Sequence, residues 1–230
     1  LGDLSFNDLA YSGYEKAIAD FGMEGTFLEP DGGGENRGEL LELCAEAGND
    51  LIIGNGFLFD ASMNEVAPNY PDLNFAITDG VAEPANVRGM LFDHAEGSFL
   101  AGVAAALKTT NNHVGFLGGV DFPLIHEFEQ GFIAGVQAIN PDIVIEIGYA
   151  SVAPDFSGFN DVVKGKEIAL AQYESGADVI YHAAGGTGTG MFEAAKEVSE
   201  STGTKVWGIG VDFDQYYQVG NALPELQEYI

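Results

Sequence analysis

Three aspartates stand where an apolar, strand-like run gives out, and their carboxylates are suited to accept hydrogen bonds from the hydroxyl or amino groups of a small ligand. Phe75-Ala76-Ile77-Thr78 leads into Asp79, Phe116-Leu117-Gly118-Gly119-Val120 into Asp121, and Trp207-Gly208-Ile209-Gly210-Val211 into Asp212. An aspartate in such a place ordinarily caps the next helix. Three of them at strand ends raise a second expectation, that at least one meets a ligand, because open parallel sheets bind beyond the carboxyl ends of their strands.

A glycine-rich segment, Ala183-Ala184-Gly185-Gly186-Thr187-Gly188-Thr189-Gly190, follows a predicted strand and opens a predicted helix. It has neither the Gly-Lys-Ser/Thr ending of a phosphate loop nor the dinucleotide fingerprint, and no lysine or arginine lies within it. Its glycines either bring the backbone close to a neutral ligand or make a plain tight turn. Phenylalanines also gather in predicted loops: Phe6, Phe57, Phe59, Phe156 and Phe159. Phe6 and Phe159, assigned to different lobes, could stack a flat ligand, although core packing is the ordinary fate of such rings.

Catalytic constellations are not found. His94, His113, His126 and His182 have no metal-ligand spacing, and no Gly-x-Ser-x-Gly elbow occurs. Cys44, the single cysteine, falls on a predicted buried helix face, where an inert thiol is the default. No metal, cofactor or catalytic residue is assigned.

Bringing these positions to one edge requires alternating helix and strand, and the pattern supplies it. Helices are predicted over residues 7–21, 37–47, 96–108, 127–138, 161–175 and 190–201. Strands are predicted over 26–29, 51–53, 74–78, 114–117, 144–149, 178–182 and 205–210, with a loop at Gly32-Gly33-Gly34. In 37–47, Leu40, Leu43, Cys44 and Ala47 follow the i, i+3, i+4, i+7 spacing, and Gly48 ends the helix. The 51–53 strand is expected to be buried, and the apolar 96–108 helix to lie between layers. Such alternation argues for parallel sheets covered on both faces. Ala45-Glu46-Ala47-Gly48-Asn49-Asp50-Leu51-Ile52 echoes Tyr173-Glu174-Ser175-Gly176-Ala177-Asp178-Val179-Ile180, which favours two similar lobes. Their expected bounds are 1–96, with 214–230 returning to it, and 97–213.

The charge narrows the partners. Thirty-six acidic residues against eight basic ones leave a net charge of −28, which repels nucleic acid and anionic lipid. With 46% hydrophobic residues and 16 phenylalanines the chain is nevertheless a folding sequence. Such a surface is expected to suit high salt, as in a halophile, where screening relieves self-repulsion. No run reaches the length of a membrane span.

Taken in order, Ser5-Phe6-Asn7, Asp50-Leu51-Ile52-Ile53-Gly54, Phe75-Ala76-Ile77 with Asp79-Gly80, and Glu96-Gly97-Ser98-Phe99-Leu100-Ala101-Gly102 resemble the basic membrane protein family. So do Gly118-Gly119-Val120-Asp121 with Pro123-Leu124-Ile125, residues 183–188, and Gly210-Val211-Asp212 with Asp214-Gln215. The resemblance implies an extracytoplasmic, lipid-anchored substrate-binding protein of an ABC transporter, monomeric, carrying a purine nucleoside to a membrane permease. It implies an α/β, type I periplasmic-binding-protein fold with two doubly wound lobes, parallel sheets and a ligand cleft between them. By the same resemblance Phe6 and Phe159 sandwich the base with Asn7 beside them, Asp79 accepts from the base edge, Asp121 lines the cleft, and Gly186 and Asp212 hold the ribose hydroxyls. A first strand with another ligand-binding acid and a later lysine near the sugar, usual in the family, are expected to fall outside residues 1–230, so the chain is expected to be truncated at both ends. A sugar-binding protein of the same fold, a nucleoside- or sugar-processing α/β enzyme, and the ligand-sensing domain of a regulator are the rival readings.

Overall fold

A computed structural model describes residues 1–32 and 34–230; Gly33, in the predicted glycine loop, lies outside the described residues. The chain divides into two compact units, Ala10–Phe92 and Leu1–Leu9 with Asp93–Ile230.

In the earlier unit the strands β1 (Leu51–Gly54), β2 (Asn74–Thr78) and β3 (Val87–Met90) form a parallel sheet in that order. Helices α1 (Phe6–Phe21, of which Phe6–Leu9 belong to the later unit), α2 (Arg37–Glu46) and α3 (Asp60–Val66) precede or connect these strands. Its core gathers Leu41, Ile52, Met63, Val66, Phe75 and Ile77. Three expectations are corrected here. The 26–29 run is not a strand: Phe27 packs on the rings of Tyr11 and Tyr14 instead of joining a ladder. The buried face of α2 is rotated, with Leu41 and Ala45 inside while Leu43 stays exposed. The strand β1 alternates, leaving Leu51 and Ile53 52% and 55% exposed, because α2 and α3 contribute core on one side only.

The later unit holds a four-stranded parallel sheet in the order β5-β4-β6-β7. Its strands are β4 (His113–Asp121), β5 (Val144–Val152), β6 (Val179–Ala183) and β7 (Trp207–Ile209). Around it lie α4 (His94–Lys108), α5 (Pro123–Ile139), α6 (Val162–Ser175), α7 (Gly188–Thr202) and α8 (Gln215–Ala222). The local reasons are conventional: Asp93 and Asp161 cap α4 and α6 by accepting from the amides of Glu96 and Lys164, and Pro123 opens α5. Gly176 ends α6 in the left-handed region, as Gly48 does after α2, so the echo seen in the sequence is one shared device for turning a helix into a strand.

Two cores lie on the two faces of this sheet. One joins Phe116, Phe132, Val114 and Tyr181 under α4 and α5; the other joins Leu117, Ile180, Met191 and Phe192 under α6 and α7. Each fully buried Phe contributes roughly 1.5–3 kcal/mol by leaving water. The helix α4 is not sandwiched between layers. It buries Ser98, Gly102, Ala105 and Ala106, while Leu100 and Leu107 stay exposed. Its approach to α5 is backbone on backbone: a Cβ on Gly102 would lie 2.1 Å from the Phe132 carbonyl, and one on Gly135 2.0 Å from that of Phe99.

The segment 214–230 was expected to return to the first lobe. It packs instead on the later unit, with Val219, Leu226 and Tyr229 in the core beside Met191 and Phe192. The division between units falls at 92/93, a few residues before the expected 96/97.

Candidate functional site

The strand ends carry the predicted aspartates, and none of the three occupies a helix N-cap. Asp79 follows β2 with φ 53°, and Asp212 follows β7 with φ 62°, both in the left-handed region that a non-glycine residue seldom adopts. Asp121 ends β4, and its carboxylate lies 2.8 Å from His126 Nε2 on the first turns of α5. Asp212 accepts a hydrogen bond of 2.7 Å from Ser5 Oγ, and Ser5 is wholly buried. That bond ties the strand end at β7 to the 2–8 loop.

The 2–8 loop is organised by two carboxylates. Asp3 accepts from the amides of Ser5, Asn7 and Asp8 and from the Asn7 side chain, while Asp8 accepts from the amides of Gly2 and Leu4. These bonds satisfy orphan donors at the start of α1 and so fix Phe6 and Asn7 at its first positions. Phe6 was assigned to the lobe opposite Phe159. It belongs to the same compact unit, because its loop is bonded to the end of β7.

The glycine-rich segment divides into two roles. Gly188 and Gly190 are packing glycines at the start of α7: a Cβ on Gly188 would strike the His182 ring, and one on Gly190 would lie 2.0 Å from the Val162 carbonyl. Gly185 and Gly186, in a 3-10 turn Gly185–Thr187, face other loops. A Cβ on Gly186 would be 3.4 Å from Asn160 Oδ1 and 3.6 Å from Asp3 Cα, and one on Gly185, whose φ is +55°, would be 3.1 Å from the Phe159 carbonyl. Thr187 clamps that junction: its hydroxyl donates to the Gly158 carbonyl at 2.8 Å and accepts from the Asp161 amide at 2.7 Å.

Phe159 is half-buried, its ring set against Gly119, where a Cβ would come within 2.5 Å of Cδ1. Phe156 stacks edge-on with Phe122 at 5.6 Å. Phe59 in the earlier unit packs on its core, as the ordinary reading of loop phenylalanines holds. Cys44 is half-buried, and burial raises its thiol pKa. Burial, with the charge of Asp212 adding to it, pushes the Tyr181 hydroxyl up to about 12; that hydroxyl lies 3.1 Å from Ser98 Oγ.

Six of the seven predicted contact residues, Phe6, Asn7, Asp121, Phe159, Gly186 and Asp212, thus lie in the later unit, and Asp79 lies in the earlier one. The loops bearing Phe6, Asn7, Phe159, Gly186 and Asp212 meet through the contacts above, and Gly119 places β4, with Asp121 at its end, beside Phe159. Chemically the assembly offers carboxylate acceptors, the amide side chain of Asn160 and aromatic surface. The neighbouring cations of α6 are engaged by acids, Lys164 by Glu167 and Lys166 by Glu193 and Glu197. Sequence reasoning assigned no role to Asp3, His126, Asn160 or Gln215. Asp3 was legible in principle, since an acid two and four residues before Ser5 and Asn7 is an N-terminal capping pattern.

The chain is similar to known proteins over most of its length. A model of the Bmp family, described as ABC transporter substrate-binding protein PnrA-like, matches residues 1–223. The ABC transporter nucleoside-binding protein BmpA of Lactococcus lactis is 37% identical over 227 residues, covering 94% of this chain and 62% of that protein. Basic membrane protein A of Borreliella burgdorferi is 35% identical, over 94% of this chain and 61% of its own length. The chain therefore spans about three fifths of these relatives. Among solved structures, a solute-binding protein of an ABC transporter system from Aeropyrum pernix superposes with a TM-score of 0.81 at 29% identity, covering 99% of this chain and 68% of that one.

Proposed function

This chain belongs to the Bmp family of PnrA-like ABC transporter substrate-binding proteins, and from that premise we propose that it captures a purine nucleoside outside the cytoplasm for delivery to a membrane permease. The observation that carries the reading is the convergence of Phe6 and Asn7 at the start of α1, Phe159, Gly186 and Asp212 in one compact unit, through the Ser5–Asp212 bond and the neighbourhood of Gly186 to Asp3 and Asn160. Aromatic faces suit a base, and carboxylates suit ribose hydroxyls and exocyclic amino groups. A relative named as nucleoside-binding supports the same choice.

In mechanism, Asp212 accepts from the ribose hydroxyls with the Gly186 backbone beside it, Phe6 and Phe159 supply ring faces to the base, and Asp121 adds an acceptor. Ligand capture then favours one conformation over another only through its differential affinity for the two. No step of bond making is required, and the family is one of binding proteins, which weighs against the enzymatic rival. The protein works as a monomer held at the outer face of the membrane by a lipid anchor.

A thermal-shift screen in molar salt against inosine, guanosine, adenosine, cytidine, ribose and AMP tests this. Purine nucleosides should raise the melting temperature while ribose and AMP do not. A shift with ribose alone would move the assignment to sugar capture. Product formation from inosine over hours would make the protein an enzyme.

A further inference from the structure

The side chain of Gln215, at the start of α8, is 2% exposed and reaches three segments at once. Its Oε1 accepts from the Val211 amide at 2.9 Å and lies 2.8 Å from His182 Nε2; its Nε2 donates to the Leu4 carbonyl at 2.8 Å. A carboxamide oxygen only accepts, so His182 donates from Nε2, and both lone pairs of Oε1 are used. The Nδ1 of His182 is then a lone pair, buried and without a hydrogen-bond partner against the first turn of α7. Burial holds His182 neutral, its pKa lowered to about 4.

Each segment so gathered carries a proposed ligand contact. Val211 immediately precedes Asp212, His182 lies on β6 just before the turn that holds Gly186, and Leu4 precedes Ser5 and Phe6. Leu4 and Asp212 are both non-glycine residues with positive φ, 52° and 62°, so the two loops adopt a backbone that needs outside support. Gln215 holds one through its carbonyl and the other through the preceding amide. The space is tight as well: a Cβ on Gly210 would lie 2.6 Å from Gln215 Oε1.

We propose that Gln215 is a positioning residue, which holds the 2–8 loop and the 210–213 loop in register with the Gly185–Thr187 turn and thereby sets the distance between Asp212 and Gly186. The proposal deepens the nucleoside-capture reading and rests on it for its consequence on affinity. Its structural core stands without ligand.

Two variants separate the arms of the side chain. Gln215→Leu removes all three bonds; Gln215→Glu keeps the acceptor arms and loses the donor to Leu4. Hydrogen–deuterium exchange on the ligand-free chain should show at least tenfold faster exchange in 2–8 and 210–214 for Gln215→Leu, with 113–121 unchanged. Gln215→Glu should loosen 2–8 alone, and it decides the matter if Gln215→Leu does not fold. Wild-type exchange in these segments overturns the proposal. Inosine affinity should fall at least tenfold in Gln215→Leu well below its melting temperature, where lost stability by itself leaves affinity intact. Adding Gln215→Leu to Asp212→Asn should cost little more than Asp212→Asn alone, and fully multiplying losses overturn the proposal. If the wild-type chain binds no nucleoside, the functional reading fails while the exchange result still decides the positioning role.

Discussion

Asp212 is the residue on which affinity should depend most, because its carboxylate, set at the end of β7 and bonded to Ser5, is the strongest kind of acceptor for ribose hydroxyls. Asp212→Asn should weaken inosine binding by about 10- to 150-fold, the loss of roughly 1.5–3 kcal/mol for a charge-assisted hydrogen bond, as read by calorimetry. His182 makes a second, ligand-free prediction. It titrates near 6.5 when unfolded and at about 4 in the buried fold, so across that window the unfolded chain takes up a proton that the folded chain refuses. Stability therefore falls as pH drops from 6.5 to 4, by on the order of 3 kcal/mol from this group. His182→Gln, whatever its absolute stability, should lose correspondingly less over the same range in denaturant titrations. Identical slopes would show that His182 is not buried neutral. At this scale the aspartates were legible from type and place, because an acid after an apolar run is visible in one dimension. Asp3, His126, Asn160 and Gln215 were not assigned, since their partners are joined by folding: Gln215 meets Leu4 across nearly the whole chain.

The helix pair α4–α5 shows what an element asks of its sequence. Gly102 and Gly135 let the two backbones touch, so a side chain there must push the pair apart. Gly102→Val should destabilise by about 1–3 kcal/mol or more, through overpacking. Gly97, on the same helix with nothing near its Cβ position, gives the opposite sign: Gly97→Ala should stabilise by roughly 0.5–1 kcal/mol through helix propensity. A shared sign in thermal melts would refute the packing account. Periodicity found α4, α6 and the central strands because each matches one period over its length. It misassigned 26–29, where Phe27 and Leu28 look like strand residues but Phe27 has rings rather than a ladder beside it. It missed β3, whose Val-Arg-Gly-Met carries no alternation, and α8, whose Gln-Tyr-Tyr-Gln start has no apolar stripe.

Charge governs the behaviour of the whole molecule. At −28, with Lys16, Lys164, Lys166 and Lys205 each paired with a nearby acid among the described residues, acidic residues far outnumber the cations that could neutralise them. Screening shortens their mutual repulsion from about 10 Å at 0.1 M salt to about 3 Å at 1 M, so the melting temperature should rise between dilute buffer and molar KCl. A melt indifferent to salt would contradict the reading of a salt-adapted surface. Two-lobed α/β organisation was readable from the alternation of helix and strand. The path of 214–230 was not, because Val219, Leu226 and Tyr229 are apolar residues that could cover either sheet, and only packing against Met191 and Phe192 decides between them. The central claim, nucleoside capture by this chain, is tested most directly by calorimetric titration of the purified protein with inosine in molar salt. A saturable one-to-one isotherm with a dissociation constant of about 1 μM or tighter, roughly −8 kcal/mol, is the predicted result. No heat of binding from inosine or guanosine, in a sample that melts cooperatively, would contradict it.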